Sequence, residues 1–533
     1  MDIITVEGIG SKKTGLHQVQ SRLANFNGTQ CGYCSPGMVM NMYSLLESKD
    51  GKVSMEEVEN SFGGNICRCT GYRPILDAFK SLATDADQSL LDACRDIEDL
   101  SEIKNCPKTG SPCAGICSAV EKLNDKKPVK LTFANEQEWH KVYNVKEIYD
   151  LFGKIADKPY MLVAGNTAHG VYRRSNDLKV FIDISSVEEL RGYESSATSL
   201  DLGGNVTLTE AMEIFTKIAQ EKKGFEYLKE LVKHIDLIAN VPVRNNGTIA
   251  GNLMIKNARS DFPSDMFLIL ETAGATMTIS NGTSSWVKMN SPVTITPKEF
   301  LNTNMNKKLI TKISLPALDA SKFVFKSYKV MPRAQNAHAY VNAAFLIEFN
   351  DTRTEIKSAR VCFGGISPES DHITKMEEYL VGKDLFEDTT IQGALKILKE
   401  EIKPDWVLPD ASPEYRKNLA FSLFYKFVLN LVPSGKCIDR FKNGGNILSR
   451  GLSSGTQVFD TYKKNWPLTK NIPKIEADVQ CSGEAKYVND FPAMPDEVYG
   501  AFVLAKNVHG KISSIDATLA LVSCSIKHLI MSY

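Results

Sequence analysis

The chain has 533 residues, with 63 Lys and Arg against 63 Asp and Glu, 43% hydrophobic residues and 12 cysteines. That length accommodates about three or four domains, and a formal charge of zero excludes the broad basic surface that non-specific nucleic-acid or anionic-membrane binding requires. The longest apolar run, Phe421 to Val432, is interrupted by Lys426 and Asn430 and reads as a buried helix, so no membrane span is expected.

The opening segment, Met1 to Lys13, mixes Asp2, Glu7 and two lysines without an apolar core. No secretory leader is expected from it, and the expected address is cytoplasmic, where cysteines bind metal or pack more often than they pair. Residues 1–92 read as a helical module. Ser35 is placed to cap a helix with Pro36 in its first turn. Ser54 and Glu57 form a capping box for a second helix that stops at Gly63 and Gly64, and a third begins near Pro74. From Asp85 to Lys127 the composition turns polar, and residues 93–127 are a linker.

Residues 128–318 alternate short β-rich runs with helices, as expected for an α/β or α+β domain. Strands are predicted at Tyr160 to Ala164 and Val180 to Ile184, and a helix from Thr209 behind a Thr207/Glu210 capping box. A further α+β region spans 319–432, with strands at Ala343 to Phe349 and Ser358 to Phe363. Residues 433–476 are rich in Gly, Ser, Lys and Asn and read as a second linker, and 477–533 is too short for a comparable domain.

Eight of the twelve cysteines precede residue 118. Cys31 and Cys34 are spaced C-x-x-C, Cys67 and Cys69 are spaced C-x-C, and 32 residues separate the pairs. Four thiolates on two tight loops suit a tetrahedral zinc or an iron–sulfur cluster, and spacing alone leaves both open. Cys94, Cys106, Cys113 and Cys117 are irregularly spaced in the linker and read as free thiols.

The strings GTQCGYCSPGMVMNMYSLL and GGNICRCTGYRPILDAF resemble the helical [2Fe–2S] domain of the xanthine dehydrogenase and aldehyde oxidase family of molybdenum hydroxylases. The resemblance implies that Cys31, Cys34, Cys67 and Cys69 ligate one [2Fe–2S] cluster, and that Gln30 matches a glutamine contacting the pterin of the molybdenum cofactor.

LVAGNTAHG is a strand running into a small-residue turn whose N–H groups can cradle a pyrophosphate, without the spacing of a Rossmann site. Val241 to Met254, which contains VRNNGTIAGNLM, supplies a second glycine-rich turn, and Asp265 offers a carboxylate to a ribityl or ribose hydroxyl. Without further help, structural turns between strands are the competing reading. The resemblance extends here to an FAD-binding domain of the vanillyl-alcohol-oxidase (PCMH) type. It implies FAD contacts from Leu162, Val163, Ala164, Gly165, Asn166, Thr167, Ala168 and His169, from Thr248, Gly251, Asn252 and Asp265, and from Lys329 of the next domain. VCFGGISP and SPEYRKNLAFSLFYKF resemble the flavoprotein C-terminal domain of CO dehydrogenases, which makes Cys362 a core residue.

The loop MPRAQNAHAYVNAAF, Met331 to Phe345, has no carboxylate. Xanthine dehydrogenases carry acidic residues there to dock NAD, so the loop resembles aldehyde oxidases and implies dioxygen as acceptor. Residues Gln480 to Asp516 resemble the start of the molybdopterin (hammerhead) domain. The expectation is an iron–sulfur flavoprotein, the electron-transfer portion of a longer enzyme that oxidises aldehydes or N-heterocycles, with FAD and one [2Fe–2S] cluster here. Molybdopterin, the catalytic residues and a homodimer are expected only of a full-length form. The alternatives are an NAD-reducing fragment like xanthine dehydrogenase, an inactive short form, and a zinc-stabilised binding module.

Overall fold

The structure, a computed structural model, describes residues 3–92, 127–281, 292–368, 372–405, 411–447, 451–456, 461–470, 472, 474–502, 504 and 509–518. Cys94, Cys106, Cys113 and Cys117 lie outside the described residues. The chain divides into two units, Met1–Glu484 and Ala485–Tyr533.

The first module is helical: α1 (Gln18–Asn25), α2 (Ser35–Ser48), α3 (Met55–Ser61), α4 (Arg73–Lys80) and α5 (Gln88–Asp92). The Ser54/Glu57 box caps α3, which passes into a 3₁₀ turn at Phe62–Gly64, and Pro74 sits in the first turn of α4. Ser35 behaves differently from its expectation. Cys34 already has helical dihedrals and stands as the N-cap, so Ser35 is the first helical residue and its hydroxyl donates to Thr29 Oγ1 at 2.9 Å instead. Val19, Leu23, Met38 and Met42 form a fully buried core, with Phe62 stacked on Phe79 at 5.1 Å between centroids.

The second module contains two sheets. Strands β1 (Val129–Thr132), β2 (Glu138–Lys141), β3 (Tyr160–Val163) and β4 (Val180–Asp183) lie in the order β1-β2-β4-β3, with α6 (Val145–Lys154) between β2 and β3. Strand β4 pairs in parallel with both β2 and β3. An antiparallel sheet follows in the order β5-β6-β9-β7-β8 (Tyr193–Ser195, Ser199–Gly203, Leu309–Pro316, Thr276–Ser280, Val293–Ile295). Its helices are α7 (Leu208–Glu221), α8 (Leu228–Asp236), α9 (Val241–Asn246), α10 (Ile249–Ala258), α11 (Asp265–Ala273) and α12 (Pro297–Leu301). The Thr207/Glu210 box opens α7 one residue before the predicted start. Every residue of α11 is buried, including Asp265 and Glu271, so both carboxylates require partners.

The third module packs an antiparallel sheet, β10 (Phe323–Val330), β11 (Val341–Phe349) and β12 (Ile356–Gly364), against α13 (Thr374–Leu380), α14 (Asp388–Glu401) and α15 (Pro413–Leu431). The central strand β11 is buried except at Glu348, and Phe345 stacks on Phe427 of α15 at 4.7 Å. The apolar run read as a buried helix is the second half of α15.

The segment read as a linker after this module makes specific contacts. Residues around α16 (Asp439–Lys442) fold back on α15, where Lys426 Nζ donates to the Gly444 carbonyl at 3.1 Å. Ser453 then reaches the first module: its hydroxyl donates to Glu59 Oε2 at 2.8 Å and accepts from Lys80 Nζ at 3.1 Å. Helix α17 (Ala477–Cys481) packs on α1 and α2, with Ala477 and Cys481 in their core. In the second unit the described residues carry one regular element, a 3₁₀ turn at Val488–Asp490. No described helix is long and apolar enough to cross a membrane.

Candidate cofactor sites

Cys31, Gly32 and Cys34 form the loop entering α2, while Cys67 and Cys69 lie between the Phe62–Gly64 turn and α4. The loop reverses at Gly32, whose φ of +79° favours glycine. The fold brings the four thiols together. Cys31 Sγ and Cys69 Sγ are 3.6 Å apart, and Cys34 neighbours both Cys67 and Cys31. Two thiolates on one tetrahedral metal with bonds of about 2.3 Å stand about 3.7 Å apart, so the spacing fits a shared metal.

Electrostatics point the same way. Burial, reinforced by the neighbouring thiols Cys67 and Cys31, pushes Cys34 up to about 12, and the Cys31 thiol raises Cys69. Such crowding opposes ionisation of bare thiols, and a bound cation relieves it. Burial also raises Cys67, but hydrogen bonds from Thr70 and from the Thr70 and Cys69 N–H groups outweigh it and hold Cys67 below its ordinary value. Donors aimed at sulfur stabilise thiolate and tune an iron–sulfur potential. The side chain of Gln30 is exposed beside this loop.

A cavity of about 1070 Å³ opens between β3, α10, α11 and the loop after β10. All of Leu162 to His169 line it, together with Thr248, Gly251, Asn252, Asp265 and Lys329, so the structure converges every residue nominated for flavin. The two glycine turns pack against each other. A Cβ at Gly165 would lie 1.8 Å from the Asn246 carbonyl oxygen, and one at Gly247 would lie 3.2 Å from Thr167 Oγ1. The second turn joins two helices rather than two strands, with Thr248 capping α10 by accepting from the Gly251 N–H at 3.0 Å.

Arg173, Arg174, Arg259, Lys308, Lys329 and Arg333 face the cavity, against Asp265 as the single lining carboxylate among the described residues. This positive balance and the backbone cradle suit a dianionic pyrophosphate, and the volume suits a ligand as large as a dinucleotide. The 331–340 loop supplies Pro332, Arg333, Asn336, Ala337, His338 and Tyr340 to the wall.

Asp265 is held more tightly than its sequence context suggests. Its Oδ2 lies 2.9 Å from Lys329 Nζ, and its Oδ1 accepts from Asn342 Nδ2 at 2.7 Å and pairs with His234 Nε2 at 3.1 Å. Burial would raise this carboxyl, but His234 and Lys329 overcome it and hold the group well below the usual carboxylate range. Lys329 also donates to the Leu237 carbonyl at 2.8 Å. The two residues thus act as one buried ion pair in the cavity wall.

The first module packs against the segments that carry this wall, at residues next to the lining ones. A Cβ at Gly63 would lie 2.7 Å from Gln335 Oε1, and Gly64 faces Pro242 at 3.3 Å. The pair Gly63–Gly64, read as a helix stop, is thus also a close contact between modules.

Two groups escaped the sequence reading. Gln480 and Lys474 contact the loop of Gln30 and Cys31, from a segment whose composition carries no such signal. His372 bridges modules, with Nδ1 2.7 Å from Glu377 and Nε2 2.7 Å from Glu271 of α11. Cys362, His372 and Glu377 lie within metal-binding reach of one another, but Arg360 sits 3.0 Å from Glu271. Burial alone would lower His372; Cys362 and the two carboxylates push it up to about 12, so the imidazolium itself is the cation of this cluster. Cys362 is buried in the core as expected, and burial raises its thiol.

Comparison with known proteins identifies the domains that carry these residues. Residues 5–80 match a [2Fe-2S] binding domain, 132–318 the FAD binding domain in molybdopterin dehydrogenase, and 326–431 the CO dehydrogenase flavoprotein C-terminal domain. The chain is 32% identical over 560 residues to an indole-3-acetaldehyde oxidase of Arabidopsis thaliana, covering 96% of this chain and 40% of that protein. It is 29% identical over 581 residues to xanthine dehydrogenase 1 of the same plant, covering 100% of this chain and 42% of the relative. A solved carbon monoxide dehydrogenase from Hydrogenophaga pseudoflava aligns with TM-score 0.46 and 19% identity, covering 56% of this chain and 96% of that one. The chain spans about 40% of the length of the curated relatives it matches. It belongs to the aldehyde oxidase and xanthine dehydrogenase family, and it carries that family's [2Fe–2S], FAD-binding and flavoprotein C-terminal domains.

Proposed function

We propose that this chain is the electron-transfer portion, [2Fe–2S] to FAD to dioxygen, of an aldehyde oxidase-like molybdenum hydroxylase that oxidises aldehydes to carboxylic acids. Full-length forms would be cytoplasmic homodimers acting on aldehydes or N-heterocycles, with Gln30 contacting molybdopterin. The proposed division is 1–92, 128–318 and 319–432 for the three modules, with a hammerhead start at 477–533. The observation that carries the reading is the convergence of all thirteen nominated flavin residues on one cavity, with the cysteine module packed against segments adjoining its wall.

Cys31, Cys34, Cys67 and Cys69 would hold the cluster, with the N–H donors at Cys67 stabilising the thiolate. The turn Leu162 to His169 would cradle pyrophosphate through backbone N–H groups, and Thr248, Gly251 and Asn252 would form the opposite wall. Lys329, neutralised by Asp265, would present a fixed dipole rather than a free charge to the ligand. When bound, FAD supplies the exchange between one-electron and two-electron chemistry. The carboxylate-free loop Met331 to Phe345 supports dioxygen over NAD as acceptor.

Anaerobic purification followed by a visible spectrum and metal analysis tests the reading. Flavin and cluster absorption with about two irons per chain is expected. A colourless, flavin-free folded protein holding one zinc would overturn it. Chemically reduced protein should reoxidise with dioxygen and stay reduced with NAD, and reoxidation by NAD would overturn the acceptor assignment.

A further inference from the structure

Helix α17 lies more than four hundred residues from the cysteines, yet Gln480 is buried against their loop, 5% exposed. Its Oε1 accepts from Thr29 Oγ1 and from Lys474 Nζ, each at 2.9 Å. Its Nε2 donates to the carbonyl oxygens of Cys31 at 3.0 Å and Gln30 at 3.3 Å. Lys474 also donates to the Gln30 carbonyl. A Cβ at Gly32 would sit 2.4 Å from Gln480 Cδ, so the loop backbone rests directly on this amide.

The Gln30 carbonyl and the Cys31 N–H belong to one planar peptide unit, which rotates as a rigid body. The Cys31 N–H end of this unit faces Cys69, whose Sγ lies 3.6 Å from Cys31 Sγ. Holding the carbonyl end therefore aims the N–H end at a cysteine sulfur, and the Lys474 charge on that carbonyl polarises the peptide and strengthens the donor. Ser35, donating to Thr29 Oγ1 at 2.9 Å, ties the same relay to the start of α2.

We propose that Gln480, assisted by Lys474, is a positioning residue of the iron–sulfur site: it locks the Gln30–Cys31 peptide so that its N–H points at Cys69 Sγ, and thereby sets the cluster's potential and retention. This rests on the reading that the four cysteines hold the cluster. A segment that follows the flavoprotein modules in sequence thus completes the cluster's surroundings at the other end of the chain.

The test compares the full chain with Gln480→Ala and Gln480→Glu. Iron and sulfide content, the EPR spectrum and reduction potential of the reduced cluster, and its loss to a chelator are followed, with flavin absorbance as internal control. The variants should bind FAD normally, show an altered EPR line shape and a cluster that is harder to reduce, and lose iron about tenfold faster, the usual scale for a lost outer-shell contact. A lower melting temperature with unchanged spectrum, potential and iron loss would reduce Gln480 to packing and overturn the proposal. Should Gln480→Ala not fold, Lys474→Gln leaves α17 intact and should shift the potential in the same direction, and an unchanged potential overturns it equally. Wild-type protein without iron would overturn the cluster reading itself, before any variant is made.

Discussion

In the cysteine module four thiols sit on two loops that each run into a helix, and apart from Lys474 and Gln480 the residues shaping those loops are sequence neighbours of the cysteines. In the flavin cavity the wall is drawn from β3, from the α9–α10 turn, from the start of α11 and from β10, between residues 160 and 340. The first site is a largely local object, braced from outside by one short helix, and its thiols stay together as long as its loops fold. The second is a meeting place whose shape depends on two sheets and a buried helix being in register. Damage should therefore stay confined in the first and spread in the second.

The largest expected effect tests that confinement. Cys67→Ser should abolish the cluster while flavin content stays near one per chain, because the cavity wall comes from other segments. Equal loss of flavin in the metal and absorbance assays would show that the Gly63–Gln335 contact couples the two sites. Next, Gly165→Val should reduce flavin content below about a tenth with iron retained, since even a Cβ would meet the Asn246 carbonyl at 1.8 Å.

Lys329→Met leaves the Asp265 carboxylate buried without its cation, which costs about 3–5 kcal/mol on the scale of broken buried pairs, and urea unfolding should show it. If the loss stays under about 1 kcal/mol, His234 and Asn342 suffice to hold the carboxylate.

A pH-dependent effect should come from His372. Its folded-state value, about 12, lies above the ordinary value near 6.5, so the folded protein holds the proton more tightly. Its contribution is complete below about pH 6.5 and is lost progressively as pH rises toward 12. The melting-temperature gap between wild type and His372→Gln should be widest at pH 6 and narrow toward pH 10. A constant gap would show that the imidazolium charge contributes nothing. The smallest effect, about 1 kcal/mol, is expected from Ser54→Ala, which removes a local cap and leaves the distant cavity untouched.

Particular residues show why some of this was legible before the structure. Capping boxes at Ser54 and Thr207 were readable because both partners lie within one turn. The four cysteines were readable as a set because they fall in two closely spaced pairs. Ser35 was misassigned as a cap because nothing local reveals that Cys34 already adopts helical dihedrals. Asp265 was found as a carboxylate in the right place, but its pairing with Lys329, His234 and Asn342 joins positions up to 77 residues apart. Residues 433–476 were read as a linker from composition, yet Ser453 and Lys474 make contacts with the first module, as does Gln480 just beyond them.

By itself, then, the amino-acid sequence determined the module order, the two cysteine pairs and the two glycine turns, because these follow from short-range spacing, caps and glycine placement, while the resemblance to a known family nominated what they hold. Only the tertiary structure decided which charges neutralise each other, where the cavity opens, and that Gln480 underlies the cysteine loop. Burial sets these outcomes: once α11 and α17 are withdrawn from water, each polar group must find whatever partner the fold brings near, and sequence distance no longer limits the choice.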